Sequence, residues 1–453
     1  MTMPAVMGVE TEYGVLAPLE PDLDPHRLAT AVVEAWDGPA TRTVLDFDDP
    51  LAVEDLHNRI LGNGARFYVD HAHPEYSGPE VTSAAAAVSY DLAGDRIVAA
   101  AAAAAGQRLG TPVRIFKNNA DSHGASYGCH ENYLLDRATP WRRLVSGFTG
   151  YLVSRSIVSG AGRVGLGQFG ERPGFQLTQR ADFFETVEGI QTTRNRPIIN
   201  TRDEPHAPPA RYRRLHVITG DANRSPWSTW LKLGGAAAVL AALEADALPL
   251  LPLADPVAAM RSVSHDASRP VGLADGRTIT AADLQGEYLA AARAHAERVG
   301  GDLVVLDAWQ EALADFGTDP DRLADRLDWA AKRRLLTSYA DRHGLPADSP
   351  RLAQLDLAWA ELAPTSPFEL LTTRGGLRPL PFQPDPDAAI SAPPSDTRAW
   401  LRGTIVQHAA DAVVAGSWDW LVVRDAAGRR HRLDLSDPLL PGDPDAVLAA
   451  LAR

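Results

Sequence analysis

The sequence predicts an α+β fold: an antiparallel sheet with helices packed on it, followed by a small C-terminal α+β domain. Three observations carry this. Strand-like and helix-like segments succeed one another without regular βαβ spacing. Several extended stretches alternate polar with apolar residues, as a sheet with one solvated face requires. Composition breaks at "APPSDTRAW" (392–400), and the residues beyond carry strand-like runs of their own, "WDWLVVRD" and "RHRLDL". The expected domains are a main one over 1–390 and a small one over 391–453.

The elements follow in order. "MGVETEYGV" (7–15) lies in a strand expected over Ala5–Val15. Side chains alternate along a strand, so Glu10 and Glu12 share a face, about 7 Å apart. Like charges placed so are unfavourable unless something positive lies between them. Residues 16–61 are rich in Pro, Asp and Leu, with a short helix expected near 26–36 and a mobile loop and helical turn over "DFDDPLAVEDLHNRI" (46–60). "NGARFYVDHAHPEYSGPE" (63–80) opens on an Asn-Gly turn and continues as a strand expected to end near Pro74. Phe67 and Val69 take one face of it, and Arg66, Tyr68 and Asp70 the other. Glu75 is expected to fold back beside Asp70. An Ala-rich helix spans about 82–108, and "VRIFKNNA" (113–120) is another strand. "HGASYGCHENYLL" (123–135) is a loop feeding a strand that carries His130 and Asn132 on one side. A helix near 140–158 and a Gly-rich loop, "SGAGRVGLG" (159–167), come next. "RRLHVITGDAN" (213–223) places Arg214 and His216 on one face, with Ile218 next in that row. A helix over about 227–245 and several more to about 343 complete the main domain.

Composition narrows the function. With 453 residues, 45% of them hydrophobic, the chain has core enough for two or more domains. A net charge of −14 and no long Lys/Arg run argue against nucleic acid as partner. The single cysteine, Cys129, rules out a disulfide within the chain and suits a reducing cytoplasm. As a nucleophile Cys129 lacks every other signature of a cysteine enzyme. A basic start followed by an apolar run is missing, so a secreted product is not expected. The most apolar tract, "IVAAAAAAAGQRLG" (97–110), is mostly alanine and follows Asp95 and Arg96, so no membrane span is expected either.

What remains is the polar face of the sheet. Glu10, Glu12 and Glu75, with Tyr68 and histidines nearby, suit a hard divalent cation, and Mg²⁺ favours oxygen ligands together with bound phosphates. Arg66, Arg202, Arg213 and Arg214 suit phosphate or carboxylate. Zinc is disfavoured, because no Cys pair or His-x-x-x-His encloses it. No P-loop lysine motif is present, so ATP with Mg²⁺ is expected on the sheet face itself. Lys332, Arg333 and Arg334 form a basic cluster that either serves an acidic partner or is a solvated helix face.

"GVETEYG", "NGARFYVDHAHPEYS", "ASYGCHENY", "GFQLTQRADFFE", "NTRDEPHA", "YRRLHVITGDAN" and "DTRAWLRG" occur in that order. The set resembles the depupylases and Pup ligases, within the glutamine-synthetase-like carboxylate–amine ligases, and "YVDHAHPEYS" is closer to the depupylase form. The resemblance covers nearly the whole chain. It implies a curved antiparallel sheet cradling ATP and Mg²⁺, and action on the prokaryotic ubiquitin-like protein Pup and on pupylated proteins. The reactions implied are cleavage of the isopeptide bond between Pup and a substrate lysine, and deamidation of the Pup C-terminal glutamine. Carried over by motif, Glu10, Glu12, Tyr68, Glu75, His130 and His216 become metal-site residues. Arg66, Ser77, Gly78, Asn132, Ile218 and Trp418 line the nucleotide, and Asp70 is the catalytic carboxylate. Asp70 then acts as base on water or attacks the carbonyl directly, or a phosphate oxygen of the nucleotide attacks in its place. Two departures stand out: 16–62 is shorter than the family's insertion there, and Cys129 stands where serine is common. Two further readings stay open. One is a Pup–protein ligase; the other is a catalytically silent regulator that binds Pup or nucleotide, against which the intact Glu10, Glu12, Asp70 and Glu75 argue.

Overall fold

The computed structural model describes residues 5–42, 57–121 and 123–452. Most of the acidic stretch 46–60 therefore lies outside the described residues. The chain divides into two compact units: one is Val6–Phe116, Glu204–Arg213 and Pro384–Arg453; the other is Met1–Ala5, Lys117–Asp203 and Arg214–Gln383.

In the first unit the strand expected over Ala5–Val15 is two strands, β1 (Met7–Glu12) and β2 (Gly14–Leu16). Tyr13 interrupts them, fully buried, with its hydroxyl donating to Asp95 Oδ1 at 2.8 Å. After the helix α1 (Pro25–Ala35) come β3 (Arg59–Ile60), β4 (Arg66–Asp70) and β5 (His73–Ser77), running antiparallel in the order β1-β5-β4-β3. The expected strand to Pro74 is thus a hairpin. It turns at His71 and Ala72, whose φ angles of +48° and +83° mark the tight two-residue turn that matches strand twist.

One face of this sheet is apolar for a reason visible in the register. Thr11 pairs Tyr76, and Tyr76 pairs Phe67; all three are buried. The Ala-rich helix α2 (Ala84–Leu109) covers that row. Ser83 caps its start by accepting from the Ala86 N–H, and Gly110, at φ +71°, ends it in the left-handed conformation. Gly94 allows the close approach: a Cβ there would lie 2.4 Å from the Tyr76 ring. The strand β6 (Arg114–Phe116) returns to pair with β2. After Pro384 the unit adds the helix Ala399–Ala409 and three antiparallel strands, Val413–Gly416, Trp420–Arg424 and Arg430–Asp434. Ile60 of β3 shares one core with Leu401, Ile405, Leu421 and Val423 from this segment.

The second unit is mostly helical. Its strand β7 (Cys129–Asp136) alternates buried and half-exposed residues as the sequence predicts. The helix expected near 140–158 breaks at Arg155, giving Trp141–Ser154 and Ser156–Ser159. Arg155 is buried and holds Glu131 at 2.6 and 2.8 Å. The Gly-rich stretch is not wholly a loop, since Arg163–Leu166 pairs with Arg172–Gln176. Among the described residues no helix is long and apolar enough to cross a membrane.

Candidate active site

Register builds the polar face of the first unit. Glu75 lies opposite Glu12 on β1 and opposite Tyr68 on β4; Ser77 lies opposite Glu10 and Arg66. Residues directly across a sheet share its face, so two polar rows form, Glu12–Glu75–Tyr68 and Glu10–Ser77–Arg66. Asp70 closes the hairpin opposite His73. Glu75 folds back beside Asp70 as expected, with Tyr68 as its cross-strand partner because the turn comes at residues 71–72. Glu12, Asp70 and Glu75 each bring a carboxylate oxygen within 4.8 Å of the others.

Such a cluster is electrostatically frustrated. Glu12 and Glu75 are buried, at 7% and 2% exposure, while the Asp70 side chain is 38% exposed. Burial first, then the charges of Glu12, Glu10 and Asp70, raise the Glu75 carboxyl well above the usual carboxylate range. Tyr68 donates to Glu75 Oε1 at 2.5 Å and shares a 3.2 Å contact with the Ser77 hydroxyl, which itself donates to Glu75 at 3.3 Å. Burial and the neighbouring Glu75 and Glu10 keep the Tyr68 phenol protonated. Hard oxygen donors crowded within reach of one another are the donor set that suits Mg²⁺.

Beside the carboxylates stands a cation–aromatic stack. The Arg66 and Arg402 guanidinium carbons lie 5.6 and 4.8 Å from the centroid of Trp418. Arg402 is fully buried; it donates to Glu80, to Gly64 O and to Trp418 O. Arg398, one helical turn earlier, also binds Glu80. Arg66 donates to Asn58 Oδ1 at 3.1 Å, and the Gly78 N–H donates to Val9 O. The sequence reading named Arg66, Ser77, Gly78 and Trp418 but missed the Glu80–Arg402 support. Its signal was the Arg398/Arg402 spacing within "DTRAWLRG", four residues on one helix face.

The second unit holds the other predicted residues as a group of their own. The His130 and His216 rings meet edge-on at 4.9 Å between centroids. Asn132 Oδ1 lies 2.9 Å from His216 Nδ1 and accepts from Arg214 at 3.2 Å. Ile218 is buried just past the strand Tyr212–Val217. Cys129 is 1% exposed, with its sulfur 3.6 Å from the Lys232 amine, which does not suit a nucleophile that must meet substrate. Lys332 is not part of a basic surface: it is buried, paired with Asp356 at 2.7 Å and donating to Gly162 O.

Comparison with known proteins decides the family. The model of the Pup-ligase protein family matches residues 5–422. The chain belongs to the Pup-ligase family. It is 44% identical to the depupylase of Acidothermus cellulolyticus, covering 96% of this chain and 94% of that one. It is 39% identical to the Pup deamidase/depupylase of Mycobacterium tuberculosis H37Rv, over the same shares. Among solved structures it resembles the complex between the prokaryotic ubiquitin-like protein Pup and its ligase PafA, with TM-score 0.85 and 32% identity, covering 99% of this chain and 92% of that one. It also resembles the Pup ligase PafA in complex with ADP, with TM-score 0.79 and 34% identity, over 87% and 89%. The mixed α+β architecture with antiparallel sheets expected from the sequence is therefore that of a Pup-ligase family member.

Proposed function

We propose that this chain is an ATP- and Mg²⁺-dependent Pup hydrolase. It cleaves the isopeptide bond between Pup and a substrate lysine, deamidates the C-terminal glutamine of Pup, or does both. The observation that carries this reading is the half-exposed Asp70 carboxylate at the lip of a buried acidic cluster. The 44% and 39% identity to a depupylase and a Pup deamidase/depupylase supports it.

Glu12 and Glu75 would hold Mg²⁺, with Glu10 and Tyr68 beside them; the ligand roles of His130 and His216 stay with the resemblance that suggested them. Bound there, the ion supplies positive charge against phosphate and against the oxygen of a carbonyl under attack. Tyr68 and Ser77 hold the Glu75 carboxylate in place. Arg66 and Trp418 offer a cationic and an aromatic surface to a nucleotide, with Ser77 and Gly78 at the strand end. Asn132 and Ile218 are assigned to the nucleotide on the resemblance alone. Asp70 alone among the three carboxylates opens widely to solvent, so it meets the substrate amide, as base for water or as the attacking oxygen.

A ligase is the second reading, favoured by the likeness to PafA. Incubation of the purified protein with a pupylated substrate, Mg²⁺ and ATP separates the two. Loss of conjugate is the expected result. Formation of conjugate from free Pup and a target protein, with ATP consumed in proportion, would replace hydrolysis by ligation. Tight ATP binding without turnover in either direction would leave a silent binder.

A further inference from the structure

We propose that His71 is a positioning residue that orients the carboxylate of Asp70. This rests on the reading that Asp70 is the reacting group. The hairpin between β4 and β5 has two central residues, His71 and Ala72, both at positive φ. Turns of this kind favour Asn and Gly, which tolerate the left-handed region; Ala72 has neither property and bears the steric cost of a Cβ there. That geometry brings the His71 ring beside the preceding side chain, with Nδ1 2.7 Å from Asp70 Oδ1. The contact is an ion pair between neighbouring side chains when the imidazole is protonated, and a close polar contact otherwise.

The contact is a poor candidate for a stabilising device. The His71 and Asp70 side chains are 68% and 38% exposed, and ion pairs as open as this contribute little to folding. Its effect is directional. The 2.7 Å approach of the ring to Oδ1 restricts rotation of the carboxylate, and with it the line along which the second oxygen is presented to a substrate. Asp70 sits at the last position of β4, opposite His73, whose own ring is held by a 3.1 Å contact from Nδ1 to Tyr13 O. The backbone under Asp70 is therefore set by the ladder, and His71 is one of the contacts that restrain its side chain.

Three variants test this in the full chain, with a pupylated protein, Mg²⁺ and ATP. His71→Gly removes the imidazole contact while relaxing the left-handed backbone, so folding is preserved or improved. Cleavage kcat is expected to fall about 10- to 100-fold, the usual consequence of a misplaced reacting group, with KM and ATP affinity unchanged. His71→Asn keeps both a polar group near the Nδ1 position and a residue at ease at positive φ, and is expected to restore most of kcat. Asp70→Asn is the control. If Asp70→Asn is inactive while His71→Gly keeps wild-type kcat, the positioning role is refuted alone. His71→Asn being as slow as His71→Gly refutes it too. Full activity of Asp70→Asn overturns the assignment of Asp70 and this inference with it.

Discussion

Replacing Glu80 by glutamine removes one charge from the support of Trp418 while keeping its shape. Glu80 accepts from Arg398 Nε at 2.7 Å and from Arg402 Nη2 at 2.5 Å. Burial alone would raise its pKa, but the two guanidiniums outweigh burial and bring the carboxyl from 4.5 down to about 2. That drop corresponds to about 3 kcal/mol of preference for the folded, ionised state. A depressed carboxylate contributes this stability at pH above its unfolded value and loses it as pH falls from about 4.5 toward 2. Glu80→Gln is therefore expected to lower the unfolding free energy by about 3 kcal/mol at neutral pH, and by roughly 2 kcal/mol at about pH 3.5. Urea denaturation followed by tryptophan fluorescence at both pH values measures it. A loss under about 1 kcal/mol at neutral pH, or one that does not shrink in acid, would refute the view that two buried arginines depend on this carboxylate.

Three further outcomes are expected. Asp70→Asn lowers the cleavage rate about 10²- to 10⁴-fold, with ATP affinity by calorimetry nearly unchanged; a normal rate removes Asp70 from the chemistry. Glu75 has a raised native pKa, so its neutral form favours folding below the ordinary carboxylate range and that contribution is lost as pH rises. The Mg²⁺-induced gain in melting temperature should accordingly grow with pH in the wild type and flatten in Glu75→Gln. An identical Mg²⁺ response in the two proteins counts against the ion's proposed place. Gly94→Ala, which in an open helix would stabilise, should instead cost about 1–3 kcal/mol because the new methyl meets the Tyr76 ring; a gain in melting temperature would show that Tyr76 moves aside.

The polar faces were legible because alternation is a local signal. Arg66/Tyr68/Asp70 and His130/Asn132 fall on the faces that a period of two assigns them. The long helix was legible from alanine content and ends within two residues of its expected bounds. The hairpin turn was not, since His-Ala carries no Gly or Asn to announce positive φ. Glu75 nonetheless falls beside Asp70 as expected. The helix break at Arg155 has no Pro or Gly either; a buried ion pair with Glu131, distant in sequence, accompanies it. Lys332 looked like surface because charge usually is, and only its partner Asp356 makes burial tolerable.

The two-residue link between β4 and β5 leaves no slack, and this limits how relatives of this chain can diverge. Substitutions along 66–77 can be tested one side chain at a time. A single-residue deletion or insertion within either strand cannot, because it would turn the acidic row toward α2 and the apolar row away from it. Changes of length are therefore expected to be tolerated outside the two strands, where no row of side chains changes face.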